Sequence, residues 1–551
     1  MTIQKFSNLD RVKIVSSLQN TSFDLVVIGG GITGAGILLD AASRGLKVAL
    51  IEKEDFASGT SSKSTKLIHG GLRYLKQFDF WLVKEVGTER SVVHKLAPHL
   101  VIPEKMLLPL VENGSYGKWL TSIGLKIYDI LAQVEGDDQR RMLEKKEALE
   151  KEPLLPSSIL KGAGYYAEYR TDDARLTLEN IKTALQFDAT AINYTQVKDF
   201  VYEDGQVKGV HVTDMISHKG YTINTKYVIN ATGPWVDDLR EVNQSKKGGS
   251  LHLTKGVHLV FPHEKLPVKQ SVYFDVPDGR MIFAIPRGKI TYVGTTDTNY
   301  TEDKNDVYAN ITDALYLIEA VNHMFPKIHL QLEDILSSWA GLRPLIHEEG
   351  KSPSELSRKD EIFVSQSGLV SIAGGKLTGY RKMAERTVDK ITKMIDDDYG
   401  IKTKKCHTDD IPLCGGPWKN FAEVQTYINS VYNKIKDDGF AEYDAWYLVT
   451  TYGKQTETIL ALYNSLTEQK AYERMAIAEF RFSVDYECIE NPVDFFVRRT
   501  GRLYFDIESI KPLIPVILKE YQQAFQADTA KVEVYRNTLN QLIRKHSEIR
   551  E

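Results

Sequence analysis

The sequence has few cysteines and no long apolar run. Its three cysteines, Cys406, Cys414 and Cys488, cannot all pair with one another, and no metal-ligand spacing surrounds them. A reduced, intracellular chain is the simplest interpretation. The longest weakly polar run, residues 25–39, is broken by glycines and is shorter than the roughly 20 residues that a spanning helix needs. The N-terminal stretch MTIQKFSNLDRVKIVSSLQN has no apolar signal core, so we expect neither secretion nor a membrane span.

A strong excess of charge of either sign is also missing. The formal net charge is -4 for 551 residues, whereas binding to duplex nucleic acid needs a concentrated basic surface. We therefore expect no nucleic-acid partner. Apolar residues make up 42% and charged residues 26%, as in ordinary soluble proteins. Because one core rarely grows beyond roughly 250–300 residues, we expect more than one domain.

Glycine, by contrast, is frequent at the ends of apolar strand patterns. The stretch VVIGGGITGAG follows a strand pattern at residues 23–28 and precedes a helical pattern that begins near Ile32. Gly29, Gly31 and Gly34 fill the spacing GxGxxG, which allows a tight turn, close approach of a pyrophosphate, and close helix–strand packing. Bare N–H groups at a helix N-terminus attract phosphate. The pattern predicts a dinucleotide site; the alternative is a glycine-rich turn without a ligand.

An acidic residue ends the next strand pattern, KVALIEKED. Glu52 lies twenty-one residues after Gly31, near the spacing at which a carboxylate meets the adenosine ribose hydroxyls. Its charge disfavours the 2′-phosphate of NADP, which leaves FAD or NAD. FAD is favoured because the Ser/Thr-rich stretch FASGTSSKSTKLIHGGLRYL follows, where an NAD enzyme usually continues with another strand–helix unit. The alternative for this stretch is a surface loop.

Two further strand-then-glycine segments lie far along the chain, YVINATG at residues 227–233 and LVSIAGGKLTG at residues 369–379. Strand-rich stretches lie between them. The sequence then changes to helical patterns without glycine turns, including a long final segment from Pro512. We predict a discontinuous α/β domain over residues 1–400, with an inserted mixed-sheet lobe, and a helical domain over residues 401–551.

Five blocks together resemble the FAD-dependent glycerol-3-phosphate dehydrogenases: GGGITGAG, IEKEDFASGTSSKSTKLIHGGLRYL, NATGPWVDDL, GLRPL and AGGKLTGYRKMAE. The resemblance covers essentially the whole chain. The block SSKSTKLIHGGLRYL is specific to this family, whereas GxGxxG and ATG occur in many flavoproteins. The resemblance implies the α/β class, with a glutathione-reductase-like FAD-binding domain built from segments near 20–95, 185–240 and 337–400. It also implies an inserted mixed-sheet substrate lobe of the D-amino-acid-oxidase type and an all-helical C-terminal domain.

The resemblance implies non-covalent FAD. The first glycine turn would hold the pyrophosphate, the ATG segment would close the adenosine half, and the third turn would face the flavin ring. A helix N-terminus there would stabilise negative charge on the reduced ring. The expected cofactor-binding residues are Gly29, Gly31, Thr33, Gly34, Glu52, Lys53, Ser61, Ser62, Ser64, Thr65, Ala231, Thr232, Gly233, Gly341, Gly374, Gly375, Leu377 and Thr378. No metal is expected.

Oxidation of glycerol 3-phosphate needs cations for the phosphate and an acceptor for the hydroxyl proton. Arg343, in GLRPL, and Arg358, in SELSRKD, match positions that resemble the family's phosphate-binding arginines. For Arg358 the alternative is a solvated charge. His69 is the candidate base, because an imidazole ordinarily titrates near neutral pH, although a lone histidine beside apolar residues is more often structural.

The expected catalytic residues are therefore His69, Arg343 and Lys376. The expected substrate-binding residues are Arg73, Tyr74, Arg343, Arg358, Lys376 and Thr378, with Lys255 and His258 as weaker candidates.

The implied reaction is the oxidation of sn-glycerol 3-phosphate to dihydroxyacetone phosphate, with hydride transfer to flavin and electrons passed to a quinone-type acceptor. The resemblance implies a cytoplasmic protein that attaches to the inner face of the membrane, and it leaves a homodimer open. The stretch FFVRRTGRLYF, with Arg498, Arg499 and Arg502, would be either a membrane or partner contact or a helical core with solvated or ion-paired arginines.

Three other functions stay open. A flavin amine or amino-acid oxidase would use the same scaffold, but it would recognise a carboxylate with fewer cations than the pair Arg343 and Arg358. An oxygen-using glycerol-3-phosphate oxidase would carry an extra segment in the catalytic half, and none is obvious. A non-catalytic flavin-binding scaffold would not need the polar residues around the third glycine turn.

Overall fold

The computed structural model describes residues 3–69, 80–112, 114, 140–246, 250–346, 360–467 and 470–550. Within these residues the strands are β1 (Phe23–Ile28), β2 (Val48–Ile51), β3 (Leu67–Ile68), β4 (Ile102–Val111), β5 (Arg141–Glu144), β6 (Leu160–Arg170), β7 (Thr190–Ile192), β8 (Thr195–Glu203), β9 (Gln206–Asp214), β10 (Gly220–Asn230), β11 (Leu251–Pro262), β12 (Ser271–Asp275), β13 (Met281–Arg287), β14 (Ile290–Gly294), β15 (Thr298–Asn299), β16 (Ser337–Ile346), β17 (Asp360–Val364) and β18 (Val370–Gly374).

The helices are α1 (Arg11–Asn20), α2 (Ile32–Ser43), α3 (Phe80–Leu96), α4 (Lys145–Lys151), α5 (Asp173–Leu185), α6 (Val236–Val242), α7 (Ile311–Met324), α8 (Tyr380–Tyr399), α9 (Phe421–Ile435), α10 (Glu442–Tyr452), α11 (Thr456–Asn464), α12 (Ala471–Tyr486), α13 (Pro492–Asp494), α14 (Arg502–Phe505), α15 (Ile510–Phe525) and α16 (Thr529–Ser547). Short 3-10 turns include Thr60–Ser62, Gly233–Trp235 and Leu377–Gly379, and a π-helical turn spans Phe495–Arg499.

The first sheet has the strand order β17-β18-β10-β1-β2-β7. The strands from β18 to β7 run parallel, and β17 is antiparallel to β18. β1 and β2 are almost entirely buried, because helices α2, α5 and α8 pack on one face and the β8–β9–β10 meander covers the other. This arrangement and the strand–turn–helix of β1 and α2 confirm the predicted fold class.

The second sheet forms the inserted lobe and has the order β15-β11-β14-β13-β12-β4-β6-β3, with β16 also paired to β11. It is mixed, since β4 and β12 are parallel and the other pairs are antiparallel. Helices α4 and α7 pack on one face. The C-terminal helices pack on the other face, in a core that includes Trp339, Tyr292, Phe480, Phe495 and Leu513.

The C-terminal domain is helical, as predicted, and has a further core of its own around α9 to α12. Its final segment departs from the prediction. The helix begins at Ile510 rather than at Pro512, and Gln526 takes a left-handed conformation that separates α15 from α16. Among the described helices, none has the length and apolarity to cross a bilayer.

The stretch FFVRRTGRLYF lies in the interior of the protein. Phe495 and Phe496 are fully buried, and Arg498, Arg499 and Arg502 pair with buried carboxylates. The interpretation of this stretch as a membrane contact is therefore wrong, and the helical-core interpretation is confirmed. The aromatic rings fill the core that the C-terminal domain shares with the second sheet.

Candidate functional site

A cavity of about 360 Å³ lies where the parallel strands end. The carboxyl ends of β1, β2, β10 and β18 form one wall, and β11 and β16 of the second sheet form the opposite wall. Open α/β sheets bind their ligands at this edge. The cavity brings together the three glycine turns that the sequence predicts, although they are separated by about two hundred and by more than one hundred residues along the chain.

The first glycine turn is built for close contact. Gly29 has φ +113°, and a Cβ there would lie 2.6 Å from the carbonyl oxygen of Ala231. A Cβ on Gly34 would lie 1.9 Å from the carbonyl oxygen of Gly29, so helix α2 can start against the turn only if this residue has no side chain. Gly31 caps α2 and lines the cavity with Thr33, whereas Gly34 lies behind the turn and does not line it.

Glu52 is placed at the cavity by the end of β2. Its Oε2 accepts from the backbone N–H of Gly30 at 2.7 Å, and its Oε1 accepts from Glu54 at 2.8 Å. Burial raises the pKa of this carboxyl to about 7, against the opposing effect of those two backbone hydrogen bonds. Two carboxylate oxygens offer about four acceptor sites, so ribose hydroxyls can still donate to them.

Lys53 and Trp235 cover the same end of the cavity. The Lys53 ammonium lies 4.1 Å from the centre of the Trp235 ring, which is a cation–π contact. Trp235 lines the cavity and was not predicted, although it follows the ATG segment directly in NATGPW. Ala231, Thr232 and Gly233, which were predicted, line the cavity beside it.

The Ser/Thr-rich loop is held from outside by the second sheet. The indole N–H of Trp339 donates to the carbonyl of Ser64 at 3.1 Å, and the hydroxyl of Tyr292 donates to the carbonyl of Thr65 at 3.1 Å. These bonds fix the loop as part of the wall. The loop residues that line the cavity are Ser58, Gly59, Thr60, Ser61, Lys63, Ser64 and Thr65; Ser62, which was predicted with them, is buried behind the wall.

The third glycine turn meets His69. Gly374 and Gly375 have φ of 78° and 81°, a conformation that favours glycine. The Thr378 hydroxyl accepts from the backbone N–H of His69 and donates to its carbonyl, both at 3.2 Å. This double contact fixes the backbone at His69 to a turn 309 residues away. His69, Lys376, Leu377 and Thr378 all line the cavity.

Arg343 reaches the cavity from β16, opposite the glycine turns. Its guanidinium lies directly against Gly256, where a Cβ would be 2.3 Å from Nη2. Nη2 donates to the Thr295 hydroxyl at 2.8 Å, and Nη1 donates to the Thr296 carbonyl at 3.1 Å and to the Asp297 carboxylate at 3.2 Å. The orientation of the planar fork is thus set before any anion binds, and Gly341 lies on the same stretch of wall.

Of the two weaker substrate-binding candidates, His258 lines the cavity and Lys255 does not. His258 lines the cavity, stacks on Trp339 at 4.8 Å and hydrogen-bonds the Thr65 hydroxyl at 3.0 Å. Burial, with the nearby Arg343 cation, lowers its pKa well below the ordinary value, so its ring is neutral at pH 7. Lys255 does not line the cavity, because its ammonium pairs with Asp313 at 2.6 Å.

Some predicted residues lie outside the described residues, namely Arg73, Tyr74 and Arg358. Conversely, sequence reasoning missed lining residues that come from other parts of the chain. Gln196 and Val197 reach the cavity from β8, which carries no glycine motif. Lys63 was within the quoted loop. Its half-buried position, where desolvation lowers its pKa to about 8, could not be read from the loop's composition.

Two family models match the chain. The FAD dependent oxidoreductase family matches residues 24–381, and the C-terminal domain of alpha-glycerophosphate oxidase matches residues 406–532. Together these matches cover the sheets that form the cavity and most of the helical region.

Curated relatives are similar over nearly the full length. The aerobic glycerol-3-phosphate dehydrogenase of Bacillus subtilis (strain 168) is 48% identical over 546 residues, 98% of either chain. The enzyme of the same name from Staphylococcus aureus (strain MRSA252) is 46% identical over 544 residues, 98% of this chain and 97% of the relative. The X-ray structure of the glycerol-3-phosphate dehydrogenase from Bacillus halodurans, complexed with FAD, has a TM-score of 0.84 and 40% identity, and it covers 98% of both chains.

Proposed function

Because this chain belongs to the family of FAD-dependent oxidoreductases, among the aerobic glycerol-3-phosphate dehydrogenases, we propose that it oxidises sn-glycerol 3-phosphate to dihydroxyacetone phosphate. The observation that carries the proposal is the position of Arg343, an oriented guanidinium that faces the glycine turns across one cavity. The turns fit a dinucleotide and the guanidinium fits a phosphate.

The cavity fits FAD. The Gly29–Thr33 turn presents a helix N-terminus, and a Cβ at Gly31 would project to within 3.1 Å of Ser61 Oγ on the lining loop. Glu52 and the residues 231–233 would hold the adenosine half, and the turn at residues 374–378 would hold the ring half. When bound, FAD supplies the acceptor for the hydride from carbon 2 of the substrate.

Arg343 would bind the substrate phosphate. Phosphate is recognised best by directed N–H donors in a fixed fork, and three hydrogen bonds already fix this fork. Because Asp297 forms an ion pair with Arg343 and partly neutralises its charge, we expect a second cation to help bind the phosphate. Lys376 lines the same cavity and would supply it. A carboxylate substrate would need fewer donors, which favours the glycerol phosphate over an amino acid.

His69 would accept the hydroxyl proton. Its backbone is fixed to Thr378, at the turn assigned to the flavin ring, and its ring packs edge-on 6.0 Å from Phe283. His69→Asn keeps a polar, hydrogen-bonding side chain, although a smaller one, and removes the basic nitrogen. We expect FAD content and KM near wild type and flavin reduction slowed by about 100-fold or more. Rapid-mixing kinetics across pH measure this, and an unchanged reduction rate at every pH would exclude His69 as the base.

The reaction itself is tested by anaerobic titration of the yellow protein. Glycerol 3-phosphate should bleach the flavin absorbance completely, and glycerol, which lacks the phosphate, should not. Bleaching by amino acids and not by glycerol 3-phosphate would replace the proposal with an amino-acid oxidase. No bleaching by either substrate class would favour a flavin-binding scaffold.

We further propose that a quinone, rather than oxygen, takes the electrons. The full-length relatives are named dehydrogenases, not oxidases, and the sequence shows no obvious extra segment of the oxygen-using kind. After anaerobic reduction, a soluble quinone analogue should reoxidise the flavin much faster than air-saturated buffer does. Faster reoxidation by oxygen would identify an oxidase. Attachment to a membrane surface and a homodimer stay predictions from the resemblance.

A further inference from the structure

The turn that carries Glu52 is anchored in the C-terminal domain. Asp55, three residues after Glu52, is 1% exposed. Its carboxylate accepts from both terminal nitrogens of Arg499 at 2.8 Å, from Arg498 Nε, and from Asn193 Nδ2 at 3.1 Å. A bidentate guanidinium contact fixes orientation as well as charge.

The other side of the turn is fixed by backbone hydrogen bonds. The N–H of Glu52 donates to Ile192, the N–H of Tyr194 donates to Glu54, and the N–H of Thr195 donates to Glu52, all at 2.8–2.9 Å. The turn is therefore clamped between the start of β8 and two arginines of the C-terminal domain. The Glu52 carboxylate, at the cavity wall, belongs to this clamped turn.

The π-helical turn explains how two consecutive arginines reach one carboxylate. A π turn is wider than an α turn and rotates fewer degrees per residue, so Arg498 and Arg499 both face Asp55. Such turns often occur at functional sites. Arg499 also donates to the Glu487 carbonyl, and Arg498 donates to Asp494 at 2.9 Å, so both guanidiniums are held in place.

The Asp55 carboxylate stays charged although it is buried. Burial alone would raise the pKa of Asp55, but Arg499 and Arg498 hold it well below its ordinary value, so the carboxylate stays ionised. A buried ion pair of this kind stabilises little on balance but is costly to break on one side.

We propose that Arg499 is a positioning residue for the cofactor. Through Asp55 it sets the place of the Glu52 carboxylate, and the C-terminal domain thereby sets the affinity of the cavity for the adenosine half of FAD. Because ADP carries the adenosine and pyrophosphate but no flavin, its affinity reports this contact independently of the substrate and of the reaction.

The test compares Arg499→Gln with Arg502→Gln. Arg502 lies in the same segment, is also buried and pairs with Glu479 at 2.8 Å, away from the cofactor turn. The dissociation constants of the full-length apoprotein for FAD and for ADP are measured by calorimetry, with the Tm of each variant. We expect R499Q to raise the dissociation constants for FAD and for ADP by about tenfold each. R502Q should lower the Tm similarly and change both constants by no more than about twofold.

A second, milder variant covers the case in which R499Q does not fold. Arg499→Lys keeps the charge but loses the bidentate fork, so the Tm should stay near wild type while ADP binds about threefold more weakly. An unchanged ADP constant in R499K or R499Q overturns the proposal. An equal loss of affinity in R502Q also overturns it, because the effect would then follow general destabilisation.

Discussion

Among single residues, Arg343 has the clearest consequence for the substrate. Its fork is oriented by Thr295, Thr296 and Asp297. A neutral replacement would therefore remove the proposed phosphate contact and leave the glycine turns in place. We expect Arg343→Gln to raise the KM for glycerol 3-phosphate by about 10- to 100-fold, the value of one or two charge-assisted hydrogen bonds. Steady-state kinetics and the flavin-to-protein absorbance ratio measure this.

Arg287→Gln is the matched control for Arg343. Arg287 lies in the same sheet, donates to the Thr171 carbonyl and stacks on Phe505, but it does not line the cavity. Its replacement should leave the KM near wild type. If R343Q also leaves the KM unchanged, Arg343 does not hold the phosphate.

Glu52 gives a prediction about pH. Burial raises its folded-state pKa to about 7 from an unfolded value near 4.3, so its ionisation opposes folding of the apoprotein. The protonated Glu52 carboxyl therefore stabilises the folded state relative to the ionised one. This stabilisation is fully present below pH 4.3 and is lost as the pH rises through 7. Relative to Glu52→Gln, the wild-type apoprotein should lose on the order of 3 kcal/mol of unfolding free energy between pH 4.5 and 8.

Denaturant unfolding of both apoproteins at several pH values measures this difference. FAD should remove most of it from the wild type, because ribose hydroxyls that donate to the ionised carboxylate lower its pKa again. A difference that stays constant over this pH range contradicts the assignment.

The positions of residues at the cavity were predictable where local geometry demands one residue type. Gly29 and Gly374 were found because a strand–turn–helix junction needs backbone that only glycine tolerates. Val197 was missed because its place on the wall depends on contacts between distant segments. Trp235 was missed although it follows the predicted residues 231–233 almost directly. Ser62 was assigned to the wall with its neighbours, but the 3-10 turn at Thr60–Ser62 directs it inward.

At the level of elements, the junction of β1 and α2 depends on how closely the helix approaches the turn. In Gly34→Ala the new Cβ would lie 1.9 Å from the Gly29 carbonyl, so α2 or the turn must move. We expect a colourless or FAD-poor protein that is less stable by about 1–3 kcal/mol. The flavin-to-protein absorbance ratio and thermal unfolding measure both effects.

Gly379→Ala is the control at the third turn. Gly379 caps α8 with φ -90°, and no heavy atom of the described residues lies within 4 Å of an added Cβ. Its substitution should retain FAD and stability. If G34A binds FAD as tightly as the wild type, close packing at this junction is not what the cofactor needs.

Elements with a strong local pattern were predicted well. The strand at residues 23–28 and the helix starting at Ile32 agree with the structure. The break between α15 and α16 was missed, because its left-handed residue, Gln526, is neither glycine nor proline. The one local signal is Asp528, whose side chain caps the start of α16.

In the whole molecule, the helical region is bound to the rest more closely than an appendage. Its helices share a core with the second sheet, and this core is formed by segments more than one hundred residues apart. Sequence periodicity shows that a helix has an apolar face but not which sheet covers it. The boundary placed near residue 400 stays a prediction, and periodicity did not show how the helical region packs.

Glu487 tests how firmly the two parts are joined. It ends α12, is fully buried, and accepts from both terminal nitrogens of Arg175 on α5 at 2.8 Å and from Lys182 at 3.2 Å. Burial would raise its pKa, but Arg175 and Lys182 lower it to about 2. Because the folded-state pKa is depressed, its stabilisation is present above about pH 4.3 and is lost as the pH falls through 2.

We therefore expect Glu487→Gln to lose about 3–5 kcal/mol of unfolding free energy at pH 7, since Arg175 is left buried without its counter-charge. The difference in unfolding free energy from wild type should narrow as the pH falls from 4.3 to 2.

Glu520→Gln is the control, because Glu520 pairs with the half-exposed Arg481 inside the helical domain. This substitution should cost less than about 1 kcal/mol. Denaturant unfolding followed by flavin fluorescence and by circular dichroism should give one transition, which E487Q shifts in both signals. If E487Q shifts only one signal, or shifts both no more than E520Q does, the two domains are not stabilised through this contact.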